Sequence, residues 1–203
     1  LAGRQVRRYT TPVRIGGLDS AVKAIASGGY HLLIIASDNT IRTWGHNKFG
    51  QLGDRSREYR HEPVLALAQP VTAASVNKAA DPRSGESSEI VMVAAGQNHS
   101  VALRADGSVW AWGDNFNGQA GDGDRRTINP YPKQVRDISR VKTVAAGARL
   151  TLALREDGTI WAWGNNEFRQ LGDGTGAQNR AFPVQVAGLA DVVAIAGGDL
   201  FSL

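Results

Sequence analysis

The sequence predicts an all-β chain built from repeated four-stranded antiparallel sheets, and three observations predict it. One segment returns at a spacing of 51 residues, its short apolar runs are bounded by Asp-Gly and Gly turns, and a tryptophan recurs just before a glycine with no helical period between. The composition agrees: 42% hydrophobic and 21% charged residues exclude collagen, coiled coil and tail-like disorder. Without cysteine there is no disulfide framework, no Cys-ligated zinc or iron–sulfur site and no thiol nucleophile. No apolar run approaches the roughly 18 residues a membrane-spanning helix needs. The start, Leu1-Ala2-Gly3-Arg4, is neither an initiator methionine nor a charged-then-apolar leader, so the chain is expected to be a piece of something longer.

The period is read from Val93-Ala94-Ala95-Gly96 through Trp110-Ala111-Trp112-Gly113, which returns as Val144-Ala145-Ala146-Gly147 through Trp161-Ala162-Trp163-Gly164, a shift of 51 residues. Pro132 to Pro183, Gly147 to Gly198 and Pro12 to Pro63 repeat it. An earlier copy, Ile25-Ala26-Ser27-Gly28 to Trp44-Gly45, lies 68 residues before its successor, the extra 17 falling between Pro63 and Gly96. The added stretch, Ala66 to Glu89, is small, polar and Pro-containing, which predicts a surface loop.

Within a copy, the first strand is a compact apolar run ended by glycine, as in Val141 to Ala146. The second, Ser100 to Ala105, alternates Val101 and Leu103 with smaller or polar residues, the pattern of a half-buried strand. Asp106-Gly107 and Asp157-Gly158 then predict a two-residue hairpin turn with both residues at positive φ, and Asp38-Asn39 stands in their place in the first copy. The third strand is Val109 to Trp112, and the fourth, Pro132 to Arg136, opens on a proline that suits an edge. Val13-Arg14-Ile15 is expected as the fourth strand of an earlier copy.

Four antiparallel strands repeating with a tryptophan and tight turns describe a propeller blade. The expected fold is therefore a partial β-propeller of four-stranded antiparallel blades, about three complete blades plus end fragments, as a single unit over residues 1–203. Its repeats run approximately over 12–62, 63–131 with the inserted loop 66–89, 132–182, and a truncated 183–203. Three blades cannot close a ring, so two blade faces are left for further repeats, self-association or a partner to cover.

Gly28-Gly29-Tyr30-His31 and Gly96-Gln97-Asn98-His99-Ser100, the Trp-Gly pairs at 44, 112 and 163, Asn47, Asn115 and Asn166, and Gly50-Gln51-Leu52-Gly53-Asp54 together form a pattern. It resembles the regulator of chromosome condensation repeat, the unit of a seven-bladed β-propeller. The resemblance covers all but the inserted loop and is far more specific for fold than for function. Leu150 and Phe201 replace the histidine, Arg169 replaces a glycine and Ala120 a leucine. Ser27, Ala95 and Ala146 stand where eukaryotic members often carry cysteine, so the chain looks more like a bacterial member.

Trp44, Trp112 and Trp163 recur at one blade position and are read as interblade packing, and His31 and His99 as structural, because neighbouring copies carry Leu150 and Phe201 there. Asp54, Asp122 and Asp173 lack the alternating ligands and closing glutamate of a calcium loop and are read as turn carboxylates. No nucleophile elbow, phosphate-binding loop or zinc-protease helix is present, so no enzyme, cofactor or metal is expected. The net charge of +4 resides in Arg4, Arg7, Arg8 and Arg14, and is read as a solvated arm, with nucleic acid not expected as partner.

What remains is recognition of a protein partner. The loops after the third strands emerge on one propeller face and carry aromatic residues among polar groups, the composition in which interfaces concentrate their energy. The candidate partner-binding residues are Asn47, Phe49, Asp114, Asn115, Phe116, Arg125, Arg126, Glu167 and Phe168, with Phe116 expected to project. The resemblance implies two alternatives to a non-catalytic binding module. One is guanine nucleotide exchange on a small GTPase, which would need a protruding wedge such as Ala66 to Glu89. The other is inhibitor-type binding of a bacterial enzyme through aromatic loops. The Gly-Trp-Arg-His-Thr signature of the plant ultraviolet-B photoreceptor in this family is absent.

Overall fold

The computed structural model describes residues 10–12, 14–18, 20–66, 89–176 and 178–199. They form three four-stranded antiparallel sheets, and no described residue is helical. The first sheet holds β1 (Val22–Ser27), β2 (His31–Ala36), β3 (Ile41–Gly45) and β4 (Arg60–Leu65) in that order. The second holds β5 (Ile90–Ala95), β6 (His99–Arg104), β7 (Val109–Asn115) and β8 (Thr127–Gln134). The third holds β9 (Val141–Ala146), β10 (Leu150–Arg155), β11 (Ile160–Gly164) and β12 (Arg180–Gln185). Each sheet is a propeller blade.

The first strands meet at the axis, where backbone bonds pass from blade to blade: Gly29 N to Gly96 O at 3.2 Å, Gln97 N to Ala148 O at 3.1 Å and Ala148 N to Gly198 O at 3.1 Å. That approach dictates glycine. A Cβ on Gly96 would lie 2.5 Å from Gly147 O and inside the His99 ring's contact distance, and Gly28 and Gly147 meet the next blade in the same way.

Blades pack face to face. Leu33, Ile35 and Ile41 of the first blade enclose Val93, Ala102 and Trp112 of the second. Val101, Leu103 and Val109 of the second enclose Val144, Ala153 and Trp163 of the third. Val93 and Val144 are 8% and 5% exposed, whereas Ile25, at the same repeat position with no described blade before it, is 62% exposed. One blade face therefore presents apolar surface.

A polar joint accompanies each packed face. His31 Nε2 bonds Ser100 Oγ at 2.9 Å, Ser100 Oγ donates to Gln51 O at 2.8 Å, and Trp112 Nε1 donates to the same carbonyl at 2.9 Å. The next joint repeats it with His99, Thr151, Gln119 O and Trp163 at 3.1, 2.8 and 3.0 Å. Because each hydroxyl proton goes to a carbonyl, the hydroxyl oxygen accepts from Nε2–H, which leaves Nδ1 as the bare nitrogen. Both Nδ1 atoms are buried without a partner, and burial lowers the pKa of His31 to about 4 and of His99 to about 3. These histidines are neutral joints. Towards the rim, Arg104 stacks 4.3 Å over Trp110 and Arg155 5.7 Å over Trp161, while the first blade carries Ala36 and Arg42 at those positions.

Three local expectations are corrected. The Asp-Gly turns are three-residue loops: Arg104 N bonds Ser108 O at 3.0 Å, and only Gly107 has positive φ, at 79°, with Gly158 at 77° and Asn39 at 65° in the other blades. That is a type I turn closed by a left-handed residue, with the Asp106 carboxylate accepting from Ser108 N at 2.8 Å. The fourth strand of the second blade begins at Thr127, because β7 continues past Trp112 and pairs Asn115 with Thr127 beyond a bulge. Arg14 and Ile15 form no strand, since no described strand offers them a ladder, and Val13 lies outside the described residues. Of the inserted loop 66–89, residues 67–88 also lie outside them, as do Arg4, Arg7 and Arg8.

Candidate partner-binding face

Antiparallel order sends the turns after the first strands and the loops after the third strands to one end of the blades, and the hairpins at 37–40, 105–108 and 156–159 to the other. Each long loop is stapled by the same asparagine. Asn47 Oδ1 accepts from Leu52 N at 3.0 Å while its Nδ2 donates to Asp54 at 3.1 Å. Asn115 Oδ1 accepts from Ala120 N at 2.9 Å while its Nδ2 donates to Asp122 at 2.9 Å. Asn166 Oδ1 accepts from Leu171 N at 3.1 Å, and its Nδ2 donates to Gly176 O.

The turn carboxylates complete the staples. Asp54, Asp122 and Asp173 each accept a backbone N–H two residues on, at 3.0, 3.1 and 3.1 Å, and bind Arg60, Lys133 and Arg180 in turn. Burial opposes ionisation at all three, but hydrogen bonds prevail, led by those from the side chains of Ser56, Asn129 and Thr175, and hold each pKa below its ordinary value.

The staples redistribute the roles expected of the loop residues. Asn47 and Asn115 are fully buried with their amides engaged, so they shape loops and offer a partner nothing. Asp114 is also buried, accepting Phe116 N at 2.9 Å, and burial raises its pKa. Phe49 is half-buried, tilted against His46 at 6.3 Å. Phe116 and Phe168 project, 48% and 62% exposed. Glu167, Arg125 and Arg126 are exposed as well, and Arg125 Nη1 ties its loop to Asn179 O of the third blade at 3.2 Å. Asn115→Ala is expected to cost about 1–3 kcal/mol by orphaning Ala120 N and the Asp122 contact, read as a lower urea midpoint; an unchanged midpoint would return Asn115 to the interface.

An aromatic cluster on this face escaped the sequence reading. His46 lies 4.7 Å from the Tyr59 ring and 6.1 Å from Tyr30, with Phe49 on a third side. Tyr30 is 73% exposed, in a turn position that holds Asn98 and Arg149 in the other blades. That departure was the available signal.

Residues 22–51, 90–119 and 141–170 match one model of the regulator of chromosome condensation (RCC1) repeat, and 38–103, 106–154 and 157–203 match another. The chain belongs to the RCC1 repeat family. The probable E3 ubiquitin-protein ligase HERC6 of Homo sapiens is 30% identical over 98% of this chain and 18% of its own length. The protein RCC2 of Mus musculus is 31% identical over 79% of this chain and 29% of its own. Among solved structures, Prp20p from Saccharomyces cerevisiae superimposes with a TM-score of 0.72 at 26% identity, covering 89% of this chain and 42% of that one. Human WBSCR16, with a TM-score of 0.75 at 20% identity over 93% of this chain and 46% of that one, shares the RCC1-type fold. The chain thus spans less than half the length of these relatives.

Proposed function

We propose that this RCC1-repeat domain is a non-catalytic module that binds a protein partner through the loop face. The observation that carries the reading is the pair Phe116 and Phe168: large apolar side chains held outward on loops whose backbones are fixed by buried asparagines. Fixed loops bind at a smaller ordering cost. Membership of the family supports it, since Prp20p is described with its binding to Gsp1p and histones, and yeast RCC1 as bound by Kap60. The segment on which an exchange-factor reading would rest lies outside the described residues.

A photoreactive phenylalanine analogue placed at position 116 or 168 is expected to crosslink a partner in extracts, whereas the same analogue at Glu156, on the opposite end, is not. Phe116→Ala and Phe168→Ala should each weaken the captured complex about tenfold or more while leaving the melting temperature unchanged. Crosslinking confined to position 156, or equal loss of binding and stability, would reject the loop face.

A further inference from the structure

The packing of the first blade on the second departs from that of the second on the third at two side chains. Ala66, Val135 and Val186 hold one repeat position, since their N–H groups donate to Ile41 O, Val109 O and Ile160 O at 3.0, 2.9 and 2.9 Å. Val135 is 3% exposed and fills the core beside Trp163. Ala66 stands in the same relation to Trp112 but lacks the two methyl groups that would fill the space there.

The second departure is a cation. Arg155, stacked over Trp161, donates from Nε to Ser139 O at 3.0 Å and pairs through Nη1 with Asp157 at 3.1 Å. Arg104, stacked over Trp110, makes no hydrogen bond or ion pair among the described residues. Burial works against its charge and lowers its pKa, with Asp106 acting the other way. An anion brought to this guanidinium would therefore find its donors unused.

Both departures border one recess of about 300 Å³ between the blades. Its lining runs from the buried Trp112 and Ile41 to the more exposed Trp110, Leu65 and Ile90, with Arg104 among them. Apolar and aromatic walls with a single charged group are the usual composition of a small-molecule site, and this volume suits a ligand of one or two rings.

We propose that the recess binds a small aromatic carboxylate, its ring packed on Trp110 and in the space that Ala66 leaves beside Trp112, its carboxylate on the Arg104 guanidinium. Ring contacts supply the affinity, and the unpaired cation selects an acid over a neutral compound of the same shape. Asn39 and Thr40 of the first hairpin also line the recess, which places it away from the loop face, so neither reading depends on the other.

The probe is 2-naphthoate, with 2-naphthamide as its uncharged isostere, each titrated calorimetrically into the full chain. Naphthoate should bind about tenfold more tightly than the amide, as one charge-assisted contact warrants. Ala66→Val, which installs the side chain of the equivalent Val135, should weaken both compounds about tenfold without lowering the melting temperature. Arg104→Gln should bring the acid down to the level of the amide. Failure of naphthoate to bind with a Kd below about 1 mM, equal affinity for the two compounds, or indifference to Ala66→Val would overturn the proposal. Binding that emerges only when residues 67–88 are replaced by a short glycine–serine link would overturn it too, and would make the chain itself the occupant.

Discussion

Trp112→Ala is expected to cost about 3–5 kcal/mol, the usual range for truncating a buried tryptophan. The indole is fully buried between two blades, among Leu33, Ile35, Ile41, Val93 and Ala102, and these neighbours belong to sheets that cannot close on the cavity without moving a whole blade. Gly53, at φ 70°, lies so close that a Cβ there would come within 2.8 Å of Trp112 Nε1. The hydrogen bond contributes less than the packing, because Gln51 O keeps its bond from Ser100 Oγ when the indole is gone. Trp112→Phe should therefore lose only about 1–2 kcal/mol, part from volume and part from the missing donor. Urea denaturation of both variants checks this. A Trp112→Ala loss under about 1 kcal/mol, or equal losses for the two, would show that the indole does not hold the blades together.

The position of Trp112 was legible because a 51-residue shift places Trp163 in the same context, and periodicity survives any ignorance of detail. Its hydrogen-bond acceptor was not legible: Gln51 O is a main-chain atom 61 residues away, and no side chain marks it. The same gap misplaced Asn47 and Asn115. An asparagine in a polar loop has one appearance in a sequence, whether its amide faces a partner or, as here, closes the loop on Leu52 N or Ala120 N. Phe116 and Phe168 could be nominated from residue type, but their projection depends on where the staple lets the loop run. Tyr30 was not legible because its position holds a different residue in every copy, Asn98 and Arg149 in the other two, so the repeat gives it no context.

Stability should fall steeply as pH drops from 6.5 towards 4, and His31 and His99 are the cause. Both are neutral in the folded chain because burial lowers their pKa, to about 4 and about 3, with the neighbouring His46 and His31 respectively adding repulsion. An unfolded chain protonates them near 6.5. Between these values the unfolded state binds more protons, so the stabilisation is complete above pH 6.5 and is lost as pH falls through the window. Each histidine contributes a slope of about 1.4 kcal/mol per pH unit, which gives a combined loss of roughly 4 kcal/mol by pH 5. The carboxylates of Asp54, Asp122 and Asp173, held below their ordinary pKa, add the same sign only at lower pH, while Asp114, raised by burial, offsets a little. The informative variant is His99→Leu, since Leu150 already fills this position in the third blade. It leaves Thr151 Oγ1 bonded to Gln119 O and removes one titrating group, so the pH slope of the urea midpoint energy between 6.5 and 5 should fall by something under half, the rest belonging to His31 and to His46, whose pKa burial also lowers. Wild-type stability that stays flat across that window, or a slope untouched by His99→Leu, would mean that the histidines are protonated in the joints, with Nδ1 carrying a proton as well as Nε2.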